Sequence, residues 1–324
     1  MTPEAARDER LATEPLELRL TAVVYGGEGT NLYELRRPEG GNLPPFTAGA
    51  HVDLHLPNGM VRQYSIASPQ GERDRYLLGI KLDGGSRGGS RYVHDTLRVG
   101  TLLRVGPPRN NFPLVEDAPF SLLVAGGIGL TPMLCMVDRL RTLNRPWSLH
   151  YAVRRRAEAM PLAALAAATH LHVDEEQSGV MDVAALVAAA PGNAHLYCCG
   201  PAPMLAAFEA ACATRSPTHV HIERFTAPED MAPAAGDGYR VELRRSNRQV
   251  TVVQGQTLLE ALLGAGIKVQ VSCEQGICGT CETRVIAGTP DHRDMILSES
   301  EKAANDVMMV CCSGSLGPTL VLDL

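Results

Sequence analysis

The chain has no excess of positive charge: 30 Lys and Arg stand against 36 Asp and Glu, a formal charge of −6 over 324 residues. A nucleic-acid partner, which would show as clustered basic residues, is therefore not expected. Long unbroken apolar runs are also missing. The uncharged stretch 120–137 is interrupted by Gly126, Gly127, Gly129 and Pro132, so it reads as a buried strand, turn and helix, and no membrane span is expected. Residues 1–13 mix acidic and basic side chains with no apolar segment of the kind a secretory signal carries, which implies a cytoplasmic protein. The nine cysteines are odd in number. Together with that absent signal, this argues against a disulfide framework and for metal or redox chemistry.

What is present is ample core material, 45% hydrophobic against 20% charged residues, in a chain long enough for two or three domains; we expect three. Residues 16–24, 31–36, 51–56, 61–67, 76–82 and 101–105 read as short strands, and six half-buried strands suggest a small antiparallel barrel. Alternation in 51–56 puts Val52, Leu54 and Leu56 on the core face and His51 and His55 on a solvated outer face, where a metal-binding role for the histidines is the lesser reading. Beyond Pro119 the pattern changes. Strand-like segments at 120–125, 147–153, 171–173, 195–199 and 220–222 alternate with alanine-rich helical stretches, the signature of a parallel α/β unit. Residues 226–238 form a Pro, Ala, Gly and Asp linker. The remainder offers strands at 240–243, 249–253 and 320–322 and a helix at 258–265. The domains are thus 1–14 as an extension, 15–115 as the barrel, 116–225 as the α/β unit, 226–238 as the linker and 239–324 as the C-terminal domain.

The strongest signal lies in that last domain. Cys273, Cys278 and Cys281 have the spacing C-x4-C-x2-C, with Cys311 and Cys312 far downstream, as in plant-type 2Fe-2S proteins. Gly276 and Gly279 permit the close approach and unusual φ angles that a loop wrapped around a cluster requires. A structural zinc site is the alternative, but such sites more usually pair two C-x2-C knuckles and only Cys278 and Cys281 form one. Adjacent strand residues point to opposite faces, so only one of Cys311 and Cys312 reaches the cluster. No C-x-H motif is present, which excludes a Rieske centre in this chain.

Two glycine-rich segments and one strand motif suggest nucleotide-like ligands. On the strand 61–67, Arg62 and Tyr64 point one way and Gln63 and Ser65 the other. Arg62 can pair a phosphate, Tyr64 can pack on a ring or ribityl chain, and Ser65 can hydrogen-bond an isoalloxazine. Gly84-Gly85-Ser86-Arg87-Gly88-Gly89-Ser90 precedes a helical segment at 91–97, and freed backbone NH groups at a helix start make an anion site. A flexible surface turn is the plainer alternative. Gly126-Gly127-Ile128-Gly129-Leu130-Thr131-Pro132 follows the first strand of the α/β unit and opens a helix, as a dinucleotide turn does, although the full G-x-G-x-x-G fingerprint is missing. Cys199-Gly200-Pro201 supplies a second turn at the same sheet edge. Cys135, Cys198 and Cys212 read as core packing.

R-x-Y-S, G-G-I-G-x-T-P and C-G-P in this order resemble the ferredoxin reductase superfamily. With the C-terminal plant-type ferredoxin, residues 15–324 resemble the phthalate dioxygenase reductase and vanillate demethylase reductase family. The resemblance implies a multidomain fold: an antiparallel β-barrel flavin domain, an α/β parallel-sheet nucleotide domain and an α+β β-grasp ferredoxin domain. It implies FMN held by Arg62, Gln63, Tyr64 and Ser65, by the strand residues Gly79, Ile80 and Lys81, by Arg87, Gly88, Gly89 and Ser90, and by Thr131 and Phe225. Glu223-Arg224-Phe225 matches the acidic and aromatic segment that closes the nicotinamide domain. NADH would lie at Gly126, Gly127, Cys199 and Gly200, with Cys199 facing the nicotinamide, and Cys273, Cys278, Cys281 and Cys311 would hold the 2Fe-2S cluster.

A nicotinamide gives two electrons as hydride and a 2Fe-2S cluster takes one, so a flavin between them is the sensible converter, and no general acid or base is required. The implied function is NADH-dependent reduction of a separate, transiently docked Rieske-type oxygenase. Reduction of a cytochrome P450 and an FAD- or NADPH-using variant are the alternatives. Arg154, Arg155 and Arg156, after the second α/β strand, bear on NADPH because arginines there can accept its extra phosphate. A zinc-holding binding module without enzymatic activity is the reading from a different class.

Overall fold

The computed structural model describes residues 15–85, 88–161, 168–177, 179–226, 234 and 238–324. Arg87, the extension 1–14 and most of the linker 226–238 lie outside the described residues. The chain divides into two compact units, Met1–Arg224 and Phe225–Leu324.

In the first unit, β1 (Leu16–Gly27), β2 (Thr30–Arg36), β3 (His51–His55), β4 (Val61–Ser65), β5 (Tyr76–Lys81) and β6 (Leu102–Val105) form one antiparallel sheet in the order β4-β3-β6-β1-β2-β5. The sheet curls toward closure where Ile66 bridges Leu78 and Ala67 N donates to Leu77 O at 2.8 Å. Burial alternates as strand geometry requires, with Leu16, Leu18 and Leu20 inside and Glu17 and Arg19 outside. Helix α1 (Gly89–Thr96) follows β5, beginning two residues earlier than the sequence suggests.

Alternation would leave His51 on a solvated outer face, but a further segment of chain covers that face. His51 is not solvated: only 5% of its surface is exposed, and Asp53 retains 8%. The segment through Arg109 covers that face, pairing backbone to backbone with His51 at 2.8 and 3.0 Å and placing its guanidinium 2.6 Å from Asp53. Burial first, and the Arg109 charge second, lower the His51 pKa to about 4.

The α/β half contains β7 (Ser121–Gly126), α2 (Leu130–Thr142), β8 (Trp147–Val153), β9 (Thr169–Val173), α3 (Val183–Ala189), β10 (His195–Cys199), α4 (Ala202–Cys212) and β11 (Val220–Glu223). Its all-parallel sheet runs β11-β10-β7-β8-β9. Every residue of the central β7 is buried, as expected for a strand covered on both faces. Barrel and α/β half share one core: Leu43, Phe112, Met136, Tyr151 and Tyr197 belong to a single buried cluster with the barrel leucines. That continuity makes them one unit. Cys135, Cys198 and Cys212 are buried, and all nine cysteines are free.

The second unit has a mixed sheet, β13-β12-β18-β14-β16, from β12 (Tyr239–Leu243), β13 (Arg248–Val252), β14 (Glu282–Ala287), β16 (Val307–Met309) and β18 (Thr319–Leu322), with β12 and β18 parallel. The short β15 (Pro290–Asp291) and β17 (Gly314–Ser315) pair apart from it. Helices α5 (Leu258–Gly264) and α6 (Glu299–Ala304) each start with a full capping box, Thr257 with Glu260 and Ser298 with Glu301. This is the β-grasp arrangement anticipated for the C-terminal domain. No helix among the described residues is long and apolar enough to cross a membrane.

Candidate functional site

The phosphate-binding candidates meet at the start of α1. Gly88, the N-cap, has φ +93°, a left-handed conformation, and no side chain caps the helix, which leaves the first-turn NH groups directed outward. The Arg62 side chain lies across this start: a Cβ on Gly89 would fall 2.5 Å from its Nε. Arg62 also donates to Val61 O at 2.8 Å. A guanidinium beside uncapped helical NH groups is a cradle suited to a phosphate. Ser90 Oγ accepts from Asp83 N at 3.2 Å, which braces the loop, and His94 Nε2 meets Ile80 O at 2.9 Å, tying α1 to β5. Tyr64 is half-buried against the barrel core, and burial raises its phenol pKa. Gln63 lies beside it on β4, opposite Asp53.

Lys81 is placed differently from a phosphate ligand. Its ammonium pairs with Glu158 at 3.1 Å. Gly79, on the same strand, abuts the α/β half: a Cβ there would come within 2.5 Å of Thr131 Cγ2. Thr131 Oγ1 donates to Ile128 O at 2.9 Å, so this contact seats the first turn of α2 on the barrel.

At the carboxyl ends of β7 and β10 the two turns pack backbone against backbone. A Cβ on Gly126 would meet Pro201 Cδ at 2.5 Å, one on Gly200 would meet Gly126 N at 3.1 Å, and one on Gly129 would overlap the Cys199 carbonyl. Gly127, with φ +54°, has open space where a side chain would be. Glycine is thus demanded on the packed side and leaves the other side clear, as a dinucleotide cradle requires.

Between these turns and the barrel lies a group that the motifs did not single out as one site. Ser65 Oγ donates to Glu223 Oε2 at 3.3 Å, and Cys199 Sγ approaches the same oxygen at 3.9 Å. Cys199 and Glu223 are register partners on β10 and β11, while Ser65 arrives from β4. Burial pushes the Glu223 carboxyl up to about 8, against smaller lowering contributions from Ser65 and Cys199. Burial, followed by the Glu223 charge, pushes the Cys199 thiol well up. Cys199 is fully buried. Phe225 belongs to the second unit and is 43% exposed. The sequence signal for Glu223 was only its place in Glu223-Arg224-Phe225.

In the second unit the cysteines converge. Cys273 contacts both Cys278 and Cys311, and Cys311 also contacts Cys281 and Cys312. Gln275 N donates to Cys273 Sγ at 3.3 Å, and Cys278 Sγ and Thr280 Oγ1 are 3.2 Å apart. Cys278, Cys281 and Cys311 are 3 to 4% exposed. Contact with Cys273, and then burial, raise the Cys278 thiol pKa. Thiols crowded in a dry site resist ionisation unless a cation neutralises them. The donor set therefore fits a cationic iron centre, although no group of His, Cys, Asp or Glu among the described residues is arranged around a single metal ion.

Cys312 sits behind the loop. Its Sγ faces Met309 O at 3.7 Å and lies 2.5 Å from where a Gly276 Cβ would be. Gly276 has φ +69° and accepts Met295 N at 2.9 Å, while Asp294 braces the same turn by accepting Leu297 N at 2.8 Å.

Residues 241–314 match the 2Fe-2S iron-sulfur cluster binding domain family, a span that includes all the cysteines just described. Over 313 residues the chain is 50% identical to the phenoxybenzoate dioxygenase subunit beta of Ectopseudomonas oleovorans, covering 96% of this chain and 98% of that one. Among solved structures, an intact type IV self-sufficient cytochrome P450 monooxygenase matches with TM-score 0.87 and 36% identity, covering 96% of this chain and 41% of that one. Phthalate dioxygenase reductase, a modular structure for electron transfer from pyridine nucleotides to [2Fe-2S], matches with TM-score 0.70 and 32% identity over 100% of both chains. Three motif-bearing sites on this fold, together with these likenesses, place the chain in the phthalate dioxygenase reductase family, as an iron-sulfur flavoprotein oxidoreductase that binds a flavin, NAD and a 2Fe-2S cluster.

Proposed function

We propose that this chain is the NADH-dependent reductase component of a Rieske-type oxygenase, using FMN and delivering electrons to a separate oxygenase protein in the cytoplasm. The observation that carries the FMN assignment is the Arg62 guanidinium laid over the uncapped start of α1, a cradle for a terminal phosphate monoester. The oxygenase assignment is supported by the 50% identical relative, which is a dioxygenase subunit.

Bound here, a flavin would supply the conversion between the two electrons of a nicotinamide hydride and the single electrons a 2Fe-2S cluster takes. The chain's own residues prepare this exchange. Arg62, Gly88, Gly89 and Ser90 hold the phosphate end, and Tyr64 and Ser65 line the ring side. Gly126, Gly127 and Gly200 admit the dinucleotide backbone. Glu223, whose carboxyl burial raises to about 8, gives Ser65 and Cys199 an uncharged partner, so this wall of the site carries no net charge. Cys273, Cys278, Cys281 and Cys311 would hold the cluster's irons as thiolates, while Cys312 supports the loop from behind.

A plant-type cluster near about −400 mV feeding a Rieske centre near about −150 mV has a gap of roughly 250 mV, which at about 59 mV per decade favours transfer by roughly four orders of magnitude. Glu274 and Gln275, on the rim of the cysteine loop, form the docking edge for a transient, salt-sensitive encounter. Two measurements test the reading: chromatography of the released flavin, where FAD refutes the FMN assignment, and stopped-flow mixing of reduced protein with Rieske oxygenase and with P450. The likeness to a P450 fusion favours the second acceptor as the competing reading. Rapid oxidation by P450 alone would select it.

A further inference from the structure

Arg154, Arg155 and Arg156 follow β8, where the strand after a dinucleotide turn carries the group that meets the adenosine ribose. Bare arginines there would suit the 2′-phosphate of NADPH. These are not bare. Arg156 forms a two-pronged pair with Glu176, Nε to Oε1 at 2.8 Å and Nη2 to Oε2 at 2.5 Å. Arg155 pairs with Glu28 at 2.9 Å and with Glu158 at 3.1 Å. The partners are held in place by backbone. Glu28 N donates to Ala157 O at 2.7 Å, and the turn bearing Glu176 is joined to the arginine segment by Asp174 N to Val153 O at 3.0 Å and Glu175 N to Arg154 O at 3.2 Å.

Three carboxylates, those of Glu28, Glu158 and Glu176, thus hold the guanidiniums of Arg155 and Arg156 and the Lys81 ammonium in ion pairs. An incoming phosphate dianion meets arginines already engaged by carboxylates that repel it, whereas a ribose hydroxyl carries no charge to be repelled.

We propose that Glu176 is a coenzyme-specificity residue: by holding Arg156 in a bidentate pair, with Glu28 and Glu158 doing the same for Arg155, it withholds these arginines from the 2′ position and sets the preference for NADH over NADPH. The proposal rests on the assignment of the β7 and β10 sheet edge as the nicotinamide site. Glu176→Gln keeps the side-chain shape, removes a charge that repels phosphate and weakens the hold on Arg156. Arg156 then becomes available for a charge-assisted contact.

The test compares wild type, Glu176→Gln and the double variant Glu176→Gln with Arg156→Ala. One readout is KM and kcat for flavin reduction by each coenzyme, and the other is calorimetric binding of 2′,5′-ADP against 5′-ADP. Glu176→Gln should raise kcat/KM for NADPH about tenfold through KM and tighten 2′,5′-ADP about tenfold, with 5′-ADP and NADH unchanged. The double variant should return both to the wild-type level, and the gain should shrink as salt rises. A wild type that already prefers NADPH, a 2′,5′-ADP affinity unmoved by Glu176→Gln, or a gain that survives removal of Arg156 would each overturn the proposal. A wild type whose flavin is reduced by neither coenzyme would instead overturn the nicotinamide-site assignment beneath it.

Discussion

Glu223→Gln offers a test of the buried group between barrel and α/β half. The Glu223 carboxyl is raised from an ordinary 4.5 to about 8, chiefly by burial. A folded-state pKa above the unfolded one means that the folded protein holds the proton more tightly. The stabilising effect is complete below about pH 4.5 and is lost as pH rises to about 8. Within that window the slope is about 1.4 kcal/mol per pH unit. From pH 5.5 to 7.5 the loss reaches about 3 kcal/mol, reduced to about 2 kcal/mol because the residue keeps part of its surface accessible. Gln cannot titrate, so the variant should gain on wild type by that amount across the window. For a unit of this size this is a divergence of about 4 to 8 °C in melting temperature. His51 and His221, both lowered to about 4 mainly by burial, produce the opposite slope below pH 6.5, but they are common to both proteins and cancel in the difference. The assay is thermal unfolding of the two proteins at half-unit pH steps. A melting-temperature difference that stays flat with pH would show that Glu223 is not a buried, proton-holding carboxyl.

Cys311→Ser should lose reduction of one-electron acceptors such as cytochrome c and keep nicotinamide-dependent flavin bleaching, whereas Cys312→Ser should retain both; the opposite pattern would move the fourth ligand. Arg62→Ala removes a charge-assisted phosphate contact worth on the order of 1.5 to 3 kcal/mol, so flavin affinity measured by fluorescence quenching should fall by about tenfold to hundredfold, and undiminished affinity would place the phosphate elsewhere. Gly129→Ala puts a methyl group into the Cys199 carbonyl. Its melting temperature should drop with a destabilisation of about 1 to 3 kcal/mol, while Gly127→Ala should show strain from its positive φ but no steric clash.

The parts of the molecule legible in the sequence are those whose chemistry is local. The spacing of Cys273, Cys278 and Cys281 places three thiols within one tight loop, and the glycines at 126 to 129 mark a turn wherever they occur. Alternation located β1 to β6 to within a few residues because each strand buries one face. It misjudged His51, since what covers that face is the distant segment at Arg109, and strand periodicity carries no record of a second layer. The Ser65, Cys199 and Glu223 group was equally hidden: Ser65 and Glu223 are 158 residues apart in sequence, and only the docking of barrel on sheet joins them. Helix α6, Glu-Ser-Glu-Lys-Ala-Ala, has no buried residue and so offers no apolar stripe to read; its capping box is the sole local sign. The shared core of barrel and α/β half likewise arises from residues such as Phe112 and Tyr197 whose pairing no window of sequence contains.

The central claim is that this one chain carries electrons from a nicotinamide, through a flavin, to a cluster held by Cys273, Cys278, Cys281 and Cys311. Anaerobic addition of two equivalents of NADH, enough for the three electrons that flavin and cluster together take up, followed by optical spectra and low-temperature electron paramagnetic resonance, tests it most directly. The account predicts loss of the flavin absorbance together with a rhombic signal of a reduced 2Fe-2S cluster that is present in wild type and in Cys312→Ser and missing in Cys311→Ser. A flavin that bleaches with no cluster signal in wild type, or a protein that carries zinc in place of iron, would contradict it.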